Sequence, residues 1–177
     1  YRFLGWALHY LQDLTQPYHA SVLPGVDTGG MVLIAAKAEA GYPEDREAAI
    51  KRVADRHTAI EQYQFERMQL LMHDGLADHP LLTAYGDTRQ DSSYPAFGPD
   101  YAAQVVAAES QARAGELDQL IGLWLAKRTS SKGFSESNRL AQSEPDPAME
   151  QLLVELFRNF GAHSRQALRA CARGSRG

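Results

Sequence analysis

Apolar residues recur at every third or fourth position along most of this 177-residue chain, and no segment alternates apolar with polar residues. An early repeat carries Leu4, Leu8 and Leu11, and a later one carries Ile121 and Trp124. This period places each set on one face of an α-helix, whereas a half-buried strand requires alternation. The sequence therefore predicts an all-α fold.

Proline and glycine divide these repeats into separate helices, since proline lacks an N–H donor and glycine favours helix ends. The predicted helices cover residues 1–14, 31–40, 43–73, 77–84, 100–114, 116–127 and 148–172. Residues 85–99 and the Ser-rich residues 129–138 are predicted loops, and the first is longer than most connections. Because no linker is long enough to separate two units, residues 1–177 are predicted to form a single domain.

Charge and cysteine content narrow the functions that this chain can have. It carries 18 Lys and Arg against 22 Asp and Glu, so it lacks the basic excess of a dedicated nucleic-acid-binding patch. Cys171 is the single cysteine, which excludes disulfide frameworks and Cys-rich zinc fingers. Any metal chemistry must therefore use the six histidines and the carboxylates. The sequence shows no signal-peptide pattern, and its longest apolar run, residues 31–36, is far shorter than the ~20 residues of a transmembrane segment.

Two histidine–carboxylate pairs share a spacing of four residues. His9 and Asp13 lie one turn apart on the first predicted helix, and His57 and Glu61 repeat the arrangement on the long helix. His19 follows a Gln-Pro break, where a tight turn would direct it back toward the first helix. Each pair by itself is typical of a structural hydrogen bond or a solvated helix face. Together, these N and O donors are typical of a divalent metal site, which we expect to be buried within the helical domain.

The stretch from Leu8 to Ala20, LHYLQDLTQPYHA, resembles the metal-binding helix of the zinc-dependent phospholipase C and S1/P1 nuclease superfamily. The family pattern is His, three residues, Asp, five residues and His, with Gln-Pro before the last His and a His-x-x-x-Glu or His-x-x-x-Asp downstream. The matching residues are His9, Asp13, Gln16, Pro17, His19, His57 and Glu61. Gln12 departs from the pattern, since the family usually has Gly there. The resemblance covers about the first third of the chain directly.

The resemblance implies a phosphodiester hydrolase with two or three zinc ions in a complete family member. It implies that His9 and Asp13 bind one zinc, with Asp13 bridging to another ion. His19, His57 and Glu61 would bind the remaining zinc and leave a position open for water. The flanking residues are more similar to bacterial phospholipases C, so the expected substrate is a phospholipid or another phosphodiester, with transient contact to a membrane surface. The same resemblance implies a secreted or periplasmic protein.

The remaining zinc ligands of the family, and its acid/base carboxylate, belong to an N-terminal half that has no counterpart in this sequence. We therefore expect the chain to be the C-terminal portion of such an enzyme, and we assign no catalytic acid or base within it. Trp6 lies inside the first helix and is expected to pack rather than to bind metal. An S1/P1-like single-strand nuclease and a non-catalytic helical domain with a residual metal site are the alternatives.

Other segments carry weaker expectations. The interval between His19 and His57 is longer than the family pattern leads us to expect, which marks residues 24–43 as an insertion. Its apolar residues 31–36 either pack or contact lipid, and packing is favoured. The aromatic residues of the 85–97 segment either line a substrate pocket or form an ordinary surface loop. His73, His79 and His163 are expected to lie outside the metal site, at a helix end, in a turn, and in the core or on the surface.

Overall fold

A computed structural model describes residues 2–130 and 145–174, and within these ranges the chain is helical with no strand, which confirms the all-α prediction. The helices are α1 (Arg2–Asp13), α2 (Pro17–Ala20), α3 (Thr28–Glu39), α4 (Glu44–His73), α5 (Pro80–Thr83), α6 (Ala108–Ala112), α7 (Ala114–Ser130) and α8 (Pro147–Gly174). A 3-10 turn covers Ala84–Gly86 and a π-helical segment covers Ala102–Ala107. The part of the predicted Ser-rich loop from residue 131 onward lies outside the described residues.

The two longest helices begin and end where local chemistry favours it. The first turn of α4 carries the acidic residues Glu44 and Asp45, which interact favourably with the helix dipole. Gly75 follows α4 with a φ of +72°, a left-handed conformation that glycine adopts without strain. Asp146 precedes α8 and accepts hydrogen bonds from the Ala148 and Met149 backbone N–H groups, each at 3.2 Å.

Several helix boundaries differ from those predicted, and two of them lie next to a side-chain contact that the sequence did not reveal. The interruption expected at Gly115 lies instead at Arg113, where the guanidinium pairs with Glu155 on α8. This contact between helices holds the chain at that point, whereas Gly115 is accommodated inside α7. Helix α3 begins before the predicted residue 31 because Asp27 caps it, with Oδ1 accepting from the Gly30 N–H at 2.7 Å.

The main core lies between α4, α7 and α8, with α2 and α5 packed at its side. Its fully buried side chains include Ile60, Tyr63, Leu117, Ile121 and Leu153. A second, smaller cluster joins α1 to α8 and to the π-helical segment; its buried members are Leu11, Tyr101, Val106 and Ala167. The short helix α2 is thus anchored in the main core, while α1 packs on the smaller one.

Apolar side chains remain exposed on α1 and α3. Trp6 is 53% exposed and meets Phe3 edge-on, so the expectation that Trp6 packs into the protein is wrong. Every residue of α3 is half-buried or exposed, and Val32 and Leu33 are among the exposed ones. Residues 31–36 therefore contribute little to the core. No helix of the described ranges is long and apolar enough to cross a membrane.

Candidate metal centre

The corner between α1 and α2 brings His19 back to the end of α1. Thr15 is buried and its hydroxyl donates to the Gln12 carbonyl at 2.7 Å, which closes the end of α1. The Gln16 side chain then caps α2 by accepting from the Tyr18 N–H at 2.9 Å, and proline occupies the first position of α2. His19 Nδ1 consequently lies 3.4 Å from Asp13 Oδ2, as the Gln-Pro break predicts.

His19, His57 and Glu61 form the one group of three metal-type donors among the described residues, with one ligand atom of each within 4.8 Å of the others. The two Nε2 atoms of His19 and His57 face each other at 2.9 Å. His57 Nε2 is also 3.2 Å from Glu61 Oε1, one turn further along α4. Zinc–nitrogen and zinc–oxygen bonds are about 2.0–2.2 Å, so donors this close together can share one ion after small rotations. Two imidazoles and one carboxylate also suit a divalent cation chemically.

His9 and Asp13 lie beside this triad rather than within it. His9 Nε2 is 3.9 Å from Asp13 Oδ2, and Asp13 in turn faces Nδ1 of His19. The five predicted residues therefore follow one another in an unbroken series of contacts. In this arrangement Asp13 approaches the His19 nitrogen that does not face His57. A carboxylate in that position favours the tautomer that leaves Nε2 free for a metal, which is a role different from the bridging ligand that the resemblance implies.

The centre is open to solvent, so the expected burial of the metal site is not confirmed. The His9 side chain is 70% exposed, that of Glu61 61% and that of Asp13 41%. The His19 and His57 side chains are the most enclosed of the five, at 29% and 32%. The two facing imidazoles are thus the best-defined part of the centre.

A cavity of about 240 Å³ opens against the donors. His9, Asp13, His19 and Glu61 lie on its polar side. The described residues that line it include no lysine or arginine, so the lining itself offers no formal positive charge to a bound phosphate apart from protonated histidine.

Aromatic side chains line another part of the same cavity. Tyr85, Phe157 and Phe160 lie there together with Leu156. The Tyr85 and Phe157 rings stack at a centroid distance of 4.5 Å, and Phe160 meets Tyr85 edge-on at 5.2 Å. Burial raises the pKa of Tyr85 to about 12, so its hydroxyl remains neutral at physiological pH. The cavity therefore combines metal-type donors with an apolar wall.

The other three histidines lie outside the donor group, as expected. His163 is buried, and its ring nitrogens contact the Tyr101 hydroxyl at 2.9 Å and Glu109 Oε2 at 2.8 Å. His79 caps α5 by accepting from the Leu81 N–H at 3.2 Å. His73 is exposed at the end of α4.

Several residues near the centre carry no sequence signal that would identify them. Phe157 and Phe160 lie on an amphipathic helix, where the same pattern is typical of ordinary core residues. Tyr85 is the one aromatic residue of the 85–97 segment that lines the cavity, whereas Tyr94 and Phe97 pack on the smaller core. Only the three-dimensional contacts distinguish the aromatic residues that line the cavity from those that pack in the core.

No protein-family model, curated protein or solved structure matches this chain. Function must therefore be inferred from the donor geometry, the cavity and the residue pattern between positions 8 and 61.

Proposed function

We propose that this chain binds zinc through His19, His57 and Glu61 and forms part of a phosphodiester hydrolase similar to bacterial phospholipase C. The observation that carries the proposal is the convergence of these three donors from two separate helices, α2 and α4. The zinc-dependent phospholipase C pattern at residues 9–61 supplies the reaction class. When bound, a divalent ion provides positive charge for the phosphoryl oxygens and lowers the pKa of a water molecule.

The residues of the chain have separate roles in this proposal. His19 and His57 supply neutral nitrogen ligands, and Glu61 supplies the negatively charged oxygen ligand. Asp13 lies 3.4 Å from Nδ1 of His19 and restricts the orientation of its ring. His9 lies at the entrance to the cavity, where it is available to a further ion or to the substrate. The aromatic wall receives the apolar portion of the phosphodiester.

The first experiment is zinc binding to the metal-free protein, measured by elemental analysis after dialysis and by isothermal titration calorimetry. We expect one zinc at the triad, and we expect His57→Ala to abolish it. His73→Ala is the matched control, because it removes an exposed histidine from the same helix outside the donor group. Absence of zinc in the wild-type protein, or undiminished zinc in His57→Ala, would refute the proposal.

The second experiment ranks substrates for the zinc-loaded protein. Release of phosphocholine from a short-chain lecithin should exceed hydrolysis of single-stranded DNA, and His57→Ala or Asp13→Asn should lose most of either activity. The opposite ranking would assign the protein to the S1/P1-like nucleases. Zinc binding without hydrolysis of either substrate by the full-length protein would assign it to the non-catalytic alternative.

Transient contact with a membrane surface is part of the proposal, and we assign it to exposed aromatic side chains of α1. Phe3, Trp6 and Tyr10 are exposed on this helix, which also carries His9. Aromatic side chains favour the interface between lipid and water. The Trp6 fluorescence spectrum should shift to shorter wavelength on addition of phosphatidylcholine vesicles, while buried Trp124 provides a constant background. An unchanged spectrum, or the same shift in Trp6→Ala, would contradict this contact.

Secretion or a periplasmic location is the remaining part of the proposal, since the resembling enzymes act outside the cytoplasm. Fractionation of the native host followed by immunodetection tests it directly. Detection confined to the cytoplasmic fraction would contradict it.

A further inference from the structure

His19 and His57 belong to different helices, and each follows a residue that is held by the same buried carboxylate. Tyr18 precedes His19 and donates its hydroxyl hydrogen bond to Asp118 Oδ1 at 3.1 Å. Arg56 precedes His57, pairs with Oδ2 of Asp118 and donates to the Asp118 backbone carbonyl at 3.0 Å. Asp118 itself is buried on α7. One side chain of α7 therefore fixes the chain immediately before both facing histidines.

Two glycines leave the space that this arrangement needs. A Cβ atom at Gly122, on α7, would lie 2.8 Å from Nη2 of Arg56. A Cβ atom at Gly25 would overlap Oδ2 of Asp118, and the φ of Gly25, +75°, also favours glycine. The Asp118 carboxylate is thus enclosed by the loop after α2 as well as by its two side-chain partners. It has little room to move.

Tyr18 also contacts the imidazole of His57 directly. Their rings are nearly parallel, with an interplanar angle of 14° and centroids 6.0 Å apart. His19 meets the same imidazole edge-on, with centroids 4.7 Å apart. The Tyr18 ring therefore limits how far His57 can swing away from His19.

We propose that Tyr18 and Asp118 are positioning residues that hold His19 and His57 with their Nε2 atoms face to face. A zinc ion then meets a pair of ligands that is already oriented. This inference rests on the proposed function, because it concerns the affinity of the same metal centre. Residues that orient metal ligands without binding the ion themselves typically contribute about 10- to 100-fold to metal affinity.

Tyr18→Phe tests the inference because it keeps the ring and removes the hydrogen bond to Asp118. We expect its zinc Kd, measured by competition with a chromophoric chelator, to rise about tenfold. We also expect the visible absorption bands of the cobalt(II)-substituted protein to change, because they report ligand geometry. A loss of stability alone would not alter those bands in the folded protein. Tyr101→Phe is the matched control, since it removes another buried hydroxyl group, hydrogen-bonded at 2.9 Å to His163.

Asp118→Asn is the second variant, because it keeps an oxygen acceptor for Tyr18 and loses the charge that pairs with Arg56. An amide has one oxygen acceptor, so only one of the two donors, Tyr18 and Arg56, keeps its bond, and the zinc Kd of this variant should rise at least as much as that of Tyr18→Phe. Wild-type affinity and wild-type cobalt spectra in both variants would overturn the inference, as would an equal change in Tyr101→Phe. A wild-type protein that binds no zinc would instead refute the proposed function, so the two failures are distinguishable.

Discussion

Replacement of Gly161 by alanine probes the contact between α8 and the 3-10 turn that forms one wall of the cavity. Gly161 is buried on α8, and an added Cβ atom would lie 2.9 Å from the Tyr85 carbonyl carbon and would overlap the carbonyl oxygen. The same oxygen accepts a hydrogen bond from Arg165 Nη1 at 2.6 Å. The substitution therefore forces apart two backbone segments and a charged hydrogen bond.

The expected change in the free energy of unfolding has three contributions, one that favours the variant and two that disfavour it. Alanine is more favourable than glycine inside a helix by up to about 1 kcal/mol. Carbon atoms pack at roughly 3.5–4.0 Å, so the backbone of Tyr85 must retreat by at least about 0.6 Å. Such overpacking costs about 1–3 kcal/mol. Loss of the charged hydrogen bond from Arg165 costs about 1.5–3 kcal/mol more. We therefore expect Gly161→Ala to lower the free energy of unfolding by roughly 1.5–6 kcal/mol.

Urea denaturation followed by circular dichroism at 222 nm measures this quantity. Gly5→Ala is the matched control, because Gly5 lies within α1 and an added Cβ atom would meet nothing within 4 Å. The control should be unchanged or more stable by up to about 1 kcal/mol. If Gly161→Ala were as stable as the wild-type protein, the close approach of α8 to Tyr85 would be refuted.

Three further predictions concern other parts of the molecule. Hydrogen bonds from Arg165 on α8 hold the pKa of Asp91 below its ordinary value. The ionised carboxylate therefore stabilises the fold above about pH 4, and this stabilisation is lost as the pH falls through the lowered pKa. Urea titrations should show that Asp91→Asn lowers the free energy of unfolding by roughly 1.5–3 kcal/mol at neutral pH and by less in acid. If the free energy of unfolding had the same pH dependence in variant and wild type, this prediction would be contradicted. His163→Phe removes the partner of Glu109 and should lower the free energy of unfolding by about 1–3 kcal/mol. The zinc stoichiometry should not change; loss of a zinc ion would show that His163 belongs to the metal centre. Asp27→Ala removes the N-cap of α3, which contributes about 1 kcal/mol to helix stability, and should speed amide hydrogen exchange in α3 alone. Faster exchange in α4 and α8 as well would contradict this local effect.

The helical fold could be predicted because long amphipathic repeats and their breakers are local signals. The predicted helix ending at His73 ends there in the structure, and Gly75 follows it in a left-handed conformation. The junction lies at Arg113, whose guanidinium pairs with Glu155 on a helix that is distant in sequence. Glycine propensity favoured Gly115 instead, and propensity carries no information about such a tertiary contact.

The candidate centre could also be predicted from the sequence only in part. A four-residue spacing on a helix places His57 next to Glu61, and a Gln-Pro corner returns His19 toward Asp13. Spacing does not reveal which nitrogen of His19 faces which neighbour, how exposed the donors are, or that Asp118 contacts Tyr18. These features depend on contacts between residues as many as 100 positions apart along the chain.

Because α3 packs weakly, the segment between the two halves of the centre could change in length without disturbing the donors. Residues 17–18 and 59–60 are buried and set the positions of α2 and α4, whereas every residue of α3 is half-buried or exposed. A chain segment that loops out in this way adds little closure entropy, since doubling its length costs only about 0.6 kcal/mol. Deleting or exchanging residues 28–39 should thus leave the His19–His57 distance unchanged. The number of residues between the two histidines is therefore a weak constraint on the geometry of the donors.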